Sequence, residues 1–138
     1  MFRLSLPLLA AVAALAACRT PAPAPTPFAL ESGQRFAVTQ IEGQPAPADV
    51  TLEVVEAGRL AGQGPCNRWF ANFNQDGAIL RIGPAGATRM ACLDEARMDA
   101  ENGFFAALED VDGITAGDGD EVALTKAGKP RITLRAAP

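Results

Sequence analysis

The stretch Gly62-Gln63-Gly64-Pro65-Cys66-Asn67-Arg68-Trp69-Phe70-Ala71-Asn72-Phe73 decides how this chain folds. Its second half alternates, with Trp69, Ala71 and Phe73 on one side, as expected of a strand whose successive side chains point to opposite faces. Asp76-Gly77 follows as a two-residue hairpin signal, because Gly adopts the left-handed backbone that tight hairpin turns demand. Ala78 to Ile82 then reads as the partner strand, with Leu80 and Ile82 inward. Gly83-Pro84 ends it, since Pro cannot donate to a sheet ladder.

The same grammar extends in both directions. Phe36 to Ile41 reads as a first strand, broken by Gly43 and by Pro45 and Pro47. Thr51 to Glu56 places Leu52 and Val54 on one face, and Ala57-Gly58 turns the chain into Arg59 to Gly62. Past residue 93 the period changes. Asp94 is placed to cap a helix spanning about residues 94–111, and Leu93 with Met98 is expected to form a hydrophobic staple across its start. Met98, Phe105 and Leu108 recur at helical spacing, with Phe104 and Val111 beside them. Gly103 inside the helix costs about 1 kcal/mol relative to Ala, and close packing on a sheet would account for it. Asp112-Gly113 closes the helix. Ile114–Ala116, Glu121–Thr125 and Arg131–Arg135 then return to strands, separated by the turns 117–120 and 126–129. The expected fold is mainly β: a compact antiparallel barrel-like meander of about eight short strands with one packed helix.

The N-terminus has a different character. Met1-Phe2-Arg3 gives a basic start, and Leu4 to Ala17 contains one Pro and one Ser among Leu, Ala and Val only. Basic start, apolar run and small residues before a cleavage point make a secretory signal peptide over residues 1–17. The run is too short for the ~20 residues that span a bilayer. Leu15-Ala16-Ala17-Cys18 resembles a bacterial lipobox, which implies cleavage before Cys18 and acylation, for example with palmitate, at that residue. Residues 18–29 form the lipidated start and a Pro-rich linker, whose alternate prolines favour an extended spacer. The folded domain is expected over residues 30–136. Arg19, rather than Asp, follows the acylated cysteine; by analogy with lipoprotein sorting this places the protein on the outer membrane, facing the periplasm.

Composition narrows the partners. The chain has 138 residues and a formal net charge of −4, and losing residues 1–17 removes one further positive charge, Arg3. A mildly acidic chain with scattered signs carries no electrostatic footprint for nucleic acid. One domain and a monomer are expected. With Cys18 lipidated, Cys66 and Cys92 remain. In an exported chain they most simply pair, stabilising the fold by ~3.5 kcal/mol in the chain-entropy picture; two free thiols are the alternative.

Gly62 to Phe73 and Ile82-Gly83-Pro84-Ala85-Gly86-Ala87-Thr88-Arg89-Met90-Ala91-Cys92 together resemble the two motifs of the META domain family, which includes HslJ-like heat-shock lipoproteins. The order of strands, the helix after Cys92 and the closing hairpin match as well, so the resemblance covers about residues 30–136. It implies a barrel-like fold and a Cys66–Cys92 disulfide. It carries Gly64, Cys66, Asn67, Thr88, Arg89, Met90 and Cys92 over as motif positions. It implies no reaction; the family is linked to heat-shock response, antibiotic tolerance and virulence. Pro65 stands where Gly is common, which constrains the backbone there.

The inventory of reactive side chains is thin. There is no His, and Ser32 is the only serine after residue 17, so neither a Ser-His-Asp nor a Cys-His arrangement can be assembled. His/Cys zinc sites lack ligands once the cysteines pair. Asp118, Asp120 and Glu121 cluster and could serve a carboxylate hydrolase or calcium, yet Gly and Asp together are the ordinary residues of a solvated turn. No enzyme activity, cofactor or metal is expected. Three residues are candidates for binding: Asn67 and Arg89, both near the cysteines, and Trp69, which either fills the barrel or lines a ligand cavity. Arg89 suits an anionic group or a set of buried carbonyls. The leading expectation is a lipid-anchored envelope protein of stress-response type that binds a protein or envelope component. A small-ligand-binding barrel is the second reading and a carboxylate hydrolase a remote third.

Overall fold

Alternating burial organises the computed structural model, which describes Pro21 and residues 24–138. Residues 1–20, 22 and 23, which include the expected leader and Cys18, lie outside the described residues. Ten strands and one helix follow in the order β1 (Arg35–Ile41), β2 (Gln44–Pro45), β3 (Thr51–Glu56), β4 (Arg59–Gln63), β5 (Arg68–Asp76), β6 (Ile79–Ile82), β7 (Gly86–Ala87), α1 (Glu95–Asp110), β8 (Gly113–Ala116), β9 (Glu121–Lys126) and β10 (Lys129–Ala136).

Eight strands close a barrel. They pair antiparallel in the order β1-β3-β4-β5-β6-β8-β9-β10, and β10 pairs back onto β1, with Phe36 opposite Ala136 and Ile41 opposite Ile132. The eight expected strands are these wall strands. The two additional ones, β2 and β7, are two-residue pairings on β1 and β5; segments so short carry no periodic signal. The thinnest seam is β6–β8, where Ile79 opposite Gly113 is the single matched pair. Leu80 N–H donating to Asp112 O at 3.3 Å and Ile114 N–H donating to Ala78 O at 2.9 Å reinforce it. The crossover that carries α1 spans this seam.

The inward positions make one core. Phe36, Leu52, Leu60, Leu80, Leu124, Ile132 and Leu134 are buried from the wall, and Phe104, Ala107, Leu108 and Val111 from α1. Trp69 and Phe104 meet edge to face at 5.4 Å and 77°, a pairing worth about 0.5–1.5 kcal/mol beyond the area it buries. The helix therefore plugs the end of the barrel at which β5 begins.

Three local expectations are corrected. The hairpin between β5 and β6 turns on Gly77-Ala78, because Asp76 still pairs with Ile79; Gly77 takes the positive φ (58°). Asp94 caps α1, its Oδ1 accepting from Ala96 N–H at 2.9 Å, but Leu93 is fully exposed and forms no staple. Cys92, one residue earlier, is tied to Cys66, and Met98 Sδ lies 3.7 Å from Cys66 Sγ. A covalent bond sets the entry of the chain into the helix where an apolar contact was expected. Gly103 is not packed closely on anything: a Cβ there would meet nothing within 4 Å.

The last point gives a direct test. Gly103→Ala should stabilise the protein by about 1 kcal/mol, because it lowers the entropy lost on folding without a clash. Urea unfolding with an unchanged slope and a raised midpoint is the expected result.

Candidate functional site

The two motif segments meet at the mouth of the barrel that α1 plugs. Pro65, Cys66 and Asn67 precede β5. Residues 88–93 join β7 to the helix. Cys66 and Cys92 are bonded, with Cα atoms 5.8 Å apart, within the ordinary range for a disulfide.

Beside this bond lies a buried carboxylate. Glu101 occupies the inward stripe of α1, three residues before Phe104, and is buried. Its Oε2 accepts from Cys66 N–H at 2.8 Å and from Asn67 N–H at 2.7 Å. Its Oε1 accepts from Asn67 Nδ2 at 2.6 Å. Three donors directed at one carboxylate are charge-assisted bonds, the strong kind. They offset the desolvation that makes a buried acid costly.

Asn67 passes the order on. Its Oδ1 accepts from Met90 N–H at 2.7 Å and Thr88 Oγ1–H at 3.0 Å, while Nδ2 also reaches Met90 O at 3.3 Å. Thr88 Oγ1 accepts in turn from Arg68 N–H at 3.1 Å. One buried amide thus uses donors and acceptor together to hold residues 88–90 against the start of β5. Gly64 is required by the same crowding: a Cβ there would lie 2.9 Å from Asn67 O and 3.1 Å from Glu101 Oε2. Pro65 is buried, and its carbonyl accepts from Arg97 Nε at 2.7 Å. Arg97 Nη2 also donates to Asp49 Oδ2 at 2.7 Å, and this guanidinium holds the Asp49 carboxyl below its ordinary 3.8.

A groove of about 620 Å³ runs over this cluster, between residues 85–91 and the helix. Asn67 and Glu101 form its floor, Met98 and Phe105 its helical wall. Arg89 is exposed at its rim, and among the described residues no hydrogen bond involves its guanidinium, so it does not serve buried carbonyls. Met90 is two-thirds exposed and Leu93 wholly so. Trp69 only edges an open hollow of about 440 Å³ formed by residues of β3, β4 and β5; its ring is buried in the core and its Nε1–H donates to Thr51 O at 3.2 Å. Asp118 and Asp120 are exposed in the β8–β9 turn, far along the chain from the groove and with no shared contact to it. Among the described residues, no group of three or more His, Cys, Asp or Glu side chains converges as metal ligands do.

Sequence reasoning brought Asn67 and both cysteines to this place but overlooked Glu101, Arg97 and Asp49. The available signal was Glu101 itself, an acid at the spacing of Phe104, Leu108 and Val111.

Two outcomes follow from this geometry. In Glu101→Gln an amide NH2 must face at least one buried N–H donor, so stability should fall by about 2–3 kcal/mol, measured by urea unfolding with the disulfide intact. Arg97→Gln should raise the Asp49 pKa towards its ordinary 3.8, read by carboxyl-carbon NMR titration. Because the folded value is depressed, the pair's contribution is present above that pH and is lost as pH falls through the lowered value.

No curated protein matches the chain. An NMR structure of a protein from Burkholderia xenovorans is 22% identical with a TM-score of 0.62, covering 87% of this chain and 96% of that one. A second NMR structure is 20% identical with a TM-score of 0.58, covering 76% and 90%. Identities this low show a shared fold alone. The model of the META domain matches residues 29–138, which hold the whole barrel and both motif segments, and the chain therefore belongs to the META domain family.

Proposed function

We propose that this protein is a non-catalytic, lipid-anchored META-domain protein of the cell envelope, of stress-response type, which acts by binding a partner protein through residues 88–93. The observation that carries the reading is the construction of that loop. Thr88 and Met90 are fixed from beneath by Asn67, and Cys92 is fixed by its bond to Cys66. Along this anchored stretch the side chains of Arg89 and Met90, and of Leu93 just beyond Cys92, are left pointing to solvent. Holding apolar side chains out of the core in a fixed arrangement lowers the ordering cost of association, and Met is an adaptable contact residue.

The anchor rests on the sequence: the apolar run Leu4 to Ala17 and the tetrapeptide Leu15-Ala16-Ala17-Cys18. Arg19 supports the outer membrane with the barrel on the periplasmic side. The absence of a catalytic role accords with a family not known for enzymes. A small-ligand barrel would need interior space beside the Trp69 ring, where Phe104 instead packs; the open hollow that Trp69 edges is lined mainly by polar and half-exposed residues of β3, β4 and β5.

Two experiments test the proposal. Cys18→Ala should abolish acylation and release the protein from the membrane fraction; retention with an unacylated residue 18 would overturn the anchor. A photocrosslinking residue at Met90 or Leu93 in living cells should capture a discrete protein adduct. The same residue at exposed Val55 on the barrel wall should not. Equal capture at Val55, or none at Met90 and Leu93, would remove the loop as a binding surface.

A further inference from the structure

The second mouth of the barrel, where β5 ends, is closed by the segment that precedes β1. Phe28 and Leu30 are half-buried and pack against the core from outside the wall strands. The Phe28 ring meets the Phe36 ring edge to face at 6.0 Å and 73°. Gln75, near the end of β5, holds the segment by its backbone: Nε2 donates to Phe28 O at 2.5 Å and Oε1 accepts from Leu30 N–H at 2.9 Å. Two residues earlier, Ala116 N–H at the end of β8 donates to Thr26 O at 2.9 Å. Two aromatic or aliphatic side chains and three hydrogen bonds therefore seat residues 26–30 on the barrel.

We infer that residues 26–30 are a strap that makes the Pro-rich tether leave the barrel at the end opposite the 88–93 loop, so that the loop faces away from the membrane that holds the anchor. The inference rests on the lipid-anchor reading above and deepens it. β5 connects the two ends directly. Asn67, which holds the loop, immediately precedes it, and Gln75, which holds the strap, lies near its far end. At ~3.3 Å per residue of strand the two are separated by about 26 Å. The C-terminus lies at the strap end too, with Ala137 N–H donating to Arg35 O at 2.8 Å. The turn Gly77-Ala78 and the turn 117–120 are also there. A free tether would let the barrel tumble and offer either end to the bilayer. A strapped tether offers the end that carries Gln75 and Ala116, and keeps Arg89, Met90 and Leu93 on the far side. The partner of the loop is accordingly a component that reaches the protein from beyond the host membrane, not the lipid of that membrane.

The test uses the full chain in solution and does not require lipid. A nitroxide placed by Ala24→Cys, with Cys18→Ser to leave a single reactive thiol, should strongly broaden the amide signals of Gly77 and Asp118 and spare those of Met90 and Ala91. Equal broadening at the two ends, or more at Met90, would overturn the inference. Hydrogen exchange provides a readout without the label. The Leu30 and Ala116 amides should exchange at least roughly tenfold more slowly than that of exposed Ser32; exchange as fast as Ser32 would overturn the strap. The mass of chain extracted from membranes separately reports acylation at Cys18. A missing lipid would count against the anchor while leaving the strap to the other two measurements.

Discussion

The Glu101 carboxylate is the contact on which the motif end of the molecule depends. It is the point where the helix, the approach to β5 and, through Asn67, the 88–93 loop are joined. An apolar residue in its place would spare the cost of burying an acid. It would also leave the N–H groups of Cys66 and Asn67 facing a core that offers them nothing, and buried donors without partners are among the costlier defects of a fold. The backbone at Cys66 and Asn67 is bent away from the sheet, so no neighbouring strand can take those donors. The carboxylate is thus the partner that this irregular stretch requires, delivered by the one element that passes above it.

The disulfide and the Asn67 side chain act on the same joint by different means. The bond ties residue 66 to residue 92 and limits the unfolded chain. The amide specifies geometry in the folded state, because its acceptor and donor must both be matched by Thr88 and Met90. A covalent link alone would keep the segments near each other without fixing the loop's backbone. The barrel wall shows the complementary problem. Its eight strands close on themselves, which removes exposed edges, but closure leaves two mouths. The helix fills one with Phe104 against Trp69. The other receives Phe28 and Leu30. The strands of the weak β6–β8 seam are joined by the connection that carries the helix, which is locked at Glu101 and buried along Phe104, Leu108 and Val111.

The wall was legible because a half-buried strand writes its period into the sequence. Phe36 and Val38, Leu52 and Val54, Trp69 and Ala71, Leu80 and Ile82, Val122 and Leu124, and Ile132 and Leu134 all alternate with more exposed neighbours, and each pair is buried. Turns were less exact. Asp76-Gly77 predicted the hairpin correctly but placed it one residue early, since either Asp-Gly or Gly-Ala satisfies the local chemistry and register is settled by the partner strand. Leu93 looked like a staple because only local spacing was visible; the bond at Cys92 that turns it outward is a long-range constraint. Asn67 could be singled out by its place beside a cysteine. Glu101 was readable only as an acid standing in the helical stripe of Phe104, Leu108 and Val111, and it was passed over because a charge at an inward position subtracts from the hydrophobic pattern used to find the helix face. Arg89 drew notice for its charge, yet the structure uses its neighbours' backbone and leaves the guanidinium in solvent.

The division of labour within the second motif then has a physical reading. Thr88 contributes a hydroxyl to the clamp, Met90 a backbone N–H and carbonyl, and Cys92 a sulfur. The clamp uses nothing of the Arg89 guanidinium, the Met90 thioether or the Leu93 side chain. Folding needs the loop's backbone only to cross from β7 to α1, and a flexible connection of that length would do so at little entropic cost. Two independent restraints on so short a crossing hold its outward side chains in one arrangement. Rigidity of that kind has little value to the core beneath, which is already filled by Trp69 and Phe104. Its effect is felt at the surface, where it spares a binding event the entropy of ordering the loop.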